Sequence, residues 1–288
     1  TYYTNNFYPS SGNQFNRTGI LSIYPDRDSD SFSTPPSLSS LVFDPNLTGL
    51  TIGSSTNTSS ITLSDAITVS GPITIYGGAV SVNNDLTIAG NVKVYGEDIY
   101  VNNDITTTAN NGKILLKALG LVILKINSDL ITDGGNIILW ANSANITSGT
   151  ANNEIILEGS NILTSNSGDI IFAGGLDDGS NGGTANDGIP DGHAYRGGYS
   201  GDAIDIRQNN ALVSNGGNIM LKGHANPSGN GVYNNSLRGY GIQLEAGNSI
   251  NSGTGTILFR FDLTLSPPIE IYFKSSLKSP HLNCLTSR

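Results

Sequence analysis

A repeat of short aliphatic triplets constrains this chain more than any other feature. From Ile61 onward, Ile61-Thr62-Leu63, Ile67-Thr68-Val69, Ile73-Thr74-Ile75, Val80-Ser81-Val82, Leu86-Thr87-Ile88, Val92-Lys93-Val94, Ile99-Tyr100-Val101 and Ile105-Thr106-Thr107 follow one another at steps of 6 or 7 residues. Three steps make 19, so residue 61 maps on 80 and 99, 67 on 86 and 105, and 73 on 92. The turns keep the same period: Tyr76-Gly77 returns as Tyr95-Gly96, and Asn83-Asn84-Asp85 as Asn102-Asn103-Asp104. Within a triplet the outer residues are mostly apolar and the middle one mostly polar, the alternation of a strand with one buried and one wet side.

Strands this short cannot return as antiparallel hairpins and still hold a constant three-step register. Stacked coil on coil, each triplet pairs in parallel with its equivalent ~4.8 Å away and buries its aliphatics along one axis. The expected fold is all-β: a single-stranded parallel β-helix, a solenoid with three faces and coils of about 19 residues in the N-terminal half. In the second half Gly112-Lys113-Ile114, Gly135-Asn136-Ile137, Asp169-Ile170, Gly217-Asn218-Ile219 and Gly255-Thr256-Ile257 read as one strand type, with shorter strands expected at Ile131, Ile146, Ile155, Ile162, Leu212 and Ile250. Ile204, Leu212 and Ile219 step by 8 and 7, as do Ile242, Ile250 and Ile257. Each set follows a Gly-rich stretch, 174–203 or 223–241, expected to be a loop extruded from the coil. About eleven coils are expected over residues 41–259, preceded by an N-terminal cap or extension (1–40) and followed by an atypical C-terminal tail (260–288).

Composition narrows the function. Only 13% of the residues are charged and the formal charge is -9, with no Lys/Arg run in the sequence, which argues against nucleic acid. The longest apolar run, 114–126, is broken by Lys117, Gly120 and Lys125 and falls short of the ~20 residues of a membrane span. The lone Cys284 permits no internal disulfide. A start at Thr1-Tyr2-Tyr3, without an apolar signal core, reads as a processed product or a piece of something longer.

Leu50-Thr51-Ile52-Gly53, the run from Ala66 to Gly78, Gly134-Gly135-Asn136-Ile137-Ile138-Leu139 and Gly216-Gly217-Asn218-Ile219-Met220-Leu221 together resemble the repeats of large filamentous-haemagglutinin-like bacterial surface adhesins. The likeness spans roughly residues 41–259. It implies a secreted β-helical adhesin or surface fibre without cofactors. Asp44-Pro45-Asn46-Leu47 is a faint echo of the Asn-Pro-Asn-Leu turn in the N-terminal secretion module usual in that class, from which this sequence departs.

Several residue sets are candidates for chemistry. Asp177, Asp178, Asp187 and Asp191 lie in one Gly-rich loop, and Asp187-Gly188-Ile189-Pro190-Asp191 resembles the turns of calcium-binding extracellular repeats, so calcium is the one cofactor these residues suggest. Joined by Asp202, Asp205, His193, Arg196 and Arg207, the same acids would be the candidates for a polysaccharide-degrading β-helix enzyme, but most sit on a loop and not at register-matched strand positions. Tyr195, Tyr199, Tyr233 and Tyr240 in the two loops are candidate contacts for a glycan or protein partner. Thr68, Thr87 and Thr106 should form a vertical ladder, and Asn83 with Asn102 an amide ladder that steadies a corner. The reading that follows is a non-enzymatic structural or adhesive solenoid, extracellular or on a bacterial cell surface, with a cell-surface glycan or protein as partner. The alternative is a filament subunit assembled end to end with itself.

Overall fold

A strand of three or four residues with aliphatics at its first and third positions has one side to bury, and coil-on-coil stacking buries all such sides in one column. The computed structural model is a parallel β-helix of this kind; it describes residues 1–3, 14–15, 18–26, 30–34, 36, 38, 42–149, 151–197, 202–225, 241–262, 276–278 and 281–287. The 19-residue mapping holds strand for strand: Ile61 pairs with Val80 and Val80 with Ile99, Ile67 with Leu86 and Leu86 with Ile105, and Ile73 with Val92.

Three faces result. Face one stacks Gly19–Tyr24, Leu47–Ile52, Ile73–Tyr76, Val92–Gly96, Ile114–Ala118, Ile137–Ala141, Ile170–Gly174, Ile219–Ala225, Thr256–Asp262 and His281–Ser287, all parallel. Face two runs from Ile61–Leu63 to Ile242–Leu244, and face three from Ile67–Val69 to Ser276–Lys278. The inward Ile, Leu and Val of all three form one continuous core, most of them with no exposed surface. No helix among the described residues is long and apolar enough to cross a membrane.

Three expectations change. Among the described residues eight strands, not eleven, enter face one between residues 41 and 259, starting at Leu47, Ile73, Val92, Ile114, Ile137, Ile170, Ile219 and Thr256. Corner insertions stretch the later coils to 33, 49 and 38 residues without adding rungs. The parallel stack also continues past both expected boundaries, into Gly19–Tyr24 on one side and His281–Ser287 on the other. On face three the strands expected at Ile131 and Ile162 are present as Leu130–Asp133 and Ile162–Thr164, with Leu130 and Leu163 turned inward and Ile162 exposed. A buried polar residue two positions upstream sets that phase: Ser128 before Leu130, Asn161 before Leu163, Asn210 before Leu212 and Asn248 before Ile250. Finally, Ile146 lies in no strand and is exposed.

Polar side chains tie rung to rung. The residue just before an inward aliphatic is repeatedly Asn or Asp, whose oxygen accepts the N–H of the equivalent residue one coil on. Asp104 accepts from Asp129 (2.8 Å), Asp129 from Ile162 (2.8 Å), Asn136 from Asp169 (3.0 Å) and Asp169 from Asn218 (2.7 Å). At one corner Asn161 donates its amide to Asn210 (3.0 Å), and Asn210 donates to Asn248 (3.2 Å), all out of water. At another, Thr132, Ser165, Ser214 and Ser252 each donate to the carbonyl of a glycine three residues on, at 2.5 to 2.7 Å. Each ladder supplies buried backbone groups with partners they would otherwise lack at a tight corner.

Candidate functional site

The outer side of face one changes character along the stack. The residues between the two inward positions are, in register, Thr51, Thr74, Lys93, Leu115, Ile138, Ile171, Met220 and Leu258. From Leu115 on this column is apolar, and an apolar stripe on an outer surface requires a cover. The loop after Gly174 supplies it: Ile189 packs with Leu115, Ile138, Trp140, Ile171, Ala173 and Met220 in a second apolar cluster outside the main core.

Three polar contacts fasten this cover. The indole Nε1 of Trp140 donates to the carbonyl of Gly175 (2.8 Å), and the Lys117 ammonium stands 3.6 Å from the centre of the same ring. Lys222 is buried and donates to the carbonyl of Pro190 (3.0 Å). Arg260 donates to the carbonyl of Asn181. Burial lowers the pKa of Lys117 from its ordinary value against the opposing charge of Asp177. Burial also lowers that of Lys222, helped by Arg260 and opposed by Asp191 and Asp187.

The expected calcium ligands serve the loop's own backbone. Asp177 accepts the N–H groups of Asp187 (3.2 Å) and Gly188 (2.8 Å), Asp178 that of Ser180 (2.9 Å), Asp187 that of Ile189 (2.8 Å) and Asp191 that of Gly179 (2.7 Å). Asp178 is held below the usual carboxylate range by its hydrogen bonds to Ser180. Among the described residues no group of three or more His, Cys, Asp or Glu side chains is placed to hold a metal.

After the cover the chain rejoins the sheet. Ala194–Arg196 lies parallel to Gly223–Ala225 and antiparallel to Asn152–Asn153, and Arg196 pairs with the buried carboxylate of Glu154. The stretch 174–203 is therefore not simply extruded, because its apolar Ile189 and its strand both have a sheet surface to bury against. Tyr195 is corrected accordingly: it is 1% exposed and stacks on His224, with ring centroids 5.5 Å apart, so it offers no free ring to a partner. Tyr199, Tyr233 and Tyr240 lie outside the described residues. Asp205 and Arg207 pair with each other on face two (2.9 Å) and do not join the acids of the loop on face one.

The ladder residues stand in register. Thr68, Thr87 and Thr106 lie one above another on face three, and the Asn102 amide donates to the Asn83 oxygen (2.7 Å). The column that begins with Asn83 and Asn102 continues as Lys125, Glu158, Arg207 and Glu245, alternating in sign, with Lys125 and Glu158 2.7 Å apart. Sequence reasoning did not find this ion ladder, although each member directly follows an inward Leu or Ile, which is a readable signal. It also did not find the Tyr76, Tyr95 and Lys117 column, in which the two Tyr rings stack 4.8 Å apart.

Comparison with known proteins finds no matching protein family, no matching curated protein and no matching solved structure.

Proposed function

We propose that this chain is a structural and adhesive β-solenoid of the extracellular space or the bacterial cell surface, a stiff spacer that works by mechanical continuity. The observation that carries this reading is the direction in which its polar chemistry points. Asn, Asp, Ser and Thr side chains lie in columns that hydrogen-bond the next rung, and the acids of the large loop hold that loop's own backbone. Groups so engaged reinforce a rod. The resemblance of the repeats to those of filamentous-haemagglutinin-like adhesins supports the same reading.

Single-molecule stretching of the chain between terminal handles tests it, together with binding to a panel of cell-surface glycans and proteins. The expected result is stepwise unfolding of stacked coils at high force, with binding and no turnover. Release of reducing ends from any polysaccharide in the panel, abolished by Asp177→Asn or Asp187→Asn, would overturn it.

A further inference from the structure

Two faces of the same rungs carry opposite charge and opposite relief. On face one, the outward positions from Pro72 to Trp140 include Lys93, Lys113 and Lys117 beside the half-exposed Tyr76 and Tyr95, and no Asp or Glu, in a chain with 23 acids and 14 bases. Lys93 and Lys113 are exposed and belong to none of the three ion pairs among the described residues. On face three, the same coils present Asp85 and Asp104 one rung apart at the strand starts, next to the short side chains of Thr87 and Ala89. The outward side chains are therefore long on face one and short on face three.

Asp85 and Asp104 stand one rung apart, ~4.8 Å, in one column, and Lys93 and Lys113 stand on adjacent rungs, two residues apart along the strand. A rigid rod cannot bring two of its own faces together. A second rod can. Resting on the reading of the chain as a structural solenoid, we propose that face one of one copy docks side by side on face three of a second copy, with Lys93 and Lys113 of the first opposite Asp85 and Asp104 of the second. Such a contact is heterologous, so the pair keeps one free face of each kind, one on each copy, and the assembly grows beyond two. Two copies at -9 repel at long range, but at physiological salt that repulsion is screened beyond about 8 Å while direct contacts persist.

Sedimentation velocity on the full chain tests this. The expected result is concentration-dependent association at ~0.15 M salt that disappears at ~1 M. The charge-reversed pairs Lys93→Glu/Lys113→Glu and Asp85→Lys/Asp104→Lys should each be monomeric alone. Mixed one to one they should associate again, because the native face of each then meets its complement. Because Asp85 and Asp104 also accept rung N–H groups, circular dichroism of each variant separates lost docking from lost folding, and Asp85→Asn/Asp104→Asn, which removes the charge and keeps those acceptors, should weaken association as well. A monomeric wild-type chain at every salt concentration would overturn the proposal, as would association that both variants retain. A monomer that binds an acidic glycan through Lys93 and Lys113 would also overturn it, yet leave the adhesive reading standing.

Discussion

Replacing Gly217 by alanine puts a methyl group where the previous coil already has backbone. A Cβ there would lie 2.5 Å from the carbonyl carbon of Gly168 and 2.8 Å from the carbonyl oxygen of Ser167, and nearer still to the Gly168 oxygen. Ordinary contact needs at least 3.4 Å, so the corner must open by about an ångström. It has little room to do so, because Ser214 closes it with a 2.5 Å bond to the Gly217 carbonyl and the rungs on either side are hydrogen-bonded at 2.9 Å between Ile170 and Asn218. Opening stretches about two rung hydrogen bonds, each worth about 1 kcal/mol, and overpacking adds about 1–3 kcal/mol. The lower entropy of the unfolded alanine chain returns about 0.5 kcal/mol. The expected loss is about 3–4 kcal/mol. Gly149→Ala is the control, since its positive φ of 83° costs about 1 kcal/mol while nothing lies within 4 Å of the new carbon. Urea unfolding reads both as shifts in midpoint, and amide exchange at Ile170 and Ile219 reports whether the loss is local. A Gly217→Ala variant no less stable than Gly149→Ala would refute the close-approach argument.

Three further outcomes follow from the geometry. Asn210→Ala removes the centre of the buried amide column and leaves the Asn161 amide without its acceptor, so urea unfolding should show a loss of about 3 kcal/mol; a loss below about 1 kcal/mol would mean that water replaces the amide. Trp140, the only tryptophan, is buried beneath the loop, so Ile189→Asp should lift the cover and shift its fluorescence to longer wavelength with the global unfolding midpoint little changed; an unshifted spectrum would contradict the cover. The pKa of Asp129 is raised, first by burial and then by Asp104, so its ionised form is penalised in the folded chain above that raised pKa, and the penalty vanishes below the ordinary carboxylate value. Asp129→Asn keeps an oxygen for the Ile162 N–H and should stabilise by up to about 0.5 kcal/mol at neutral pH and by nothing near pH 3, as thermal melts at the two pH values will show.

The 19-residue triplets were legible because Ile61, Ile67 and Ile73 each face the core with one polar residue between two inward ones, and nothing else in those coils competes with that alternation. Legibility faded where a second residue type took over the phase. Ile131 and Ile162 look like inward residues by hydrophobicity, but Asn161 is fixed by its bond to Asn210, and the Ile162 N–H by its bond to Asp129, which turns the Ile162 side chain out. The coil count was overestimated for a related reason, since corner insertions lengthen a coil without adding a rung. The hydrogen bonds that the acids of the large loop make depend on how the loop turns back on itself, and no spacing along the chain encodes that. Trp140 and Ile138 belong to an outer apolar patch that a period-two reading assigns to solvent. Their signal was the unbroken run Ile137-Ile138-Leu139-Trp140, apolar on both sides of the strand. Lys93 and Lys113 are 20 residues apart and form no charged run, so only the stacking of adjacent coils makes them neighbours.

The stacking itself is tested most directly by distances between paired spin labels on face three. Thr68, Thr87, Thr106, Ile131, Thr164, Val213 and Asn251 succeed one another in register, so position 68 is four rungs from 164 and six from 251. At ~4.8 Å per rung, backbone separations of ~19 Å and ~29 Å are expected, increasing by one rung per coil whether that coil holds 19 residues or 49. Distances that scale with the number of intervening residues, or that fail to increase from 164 to 251, would contradict the stacked β-helix.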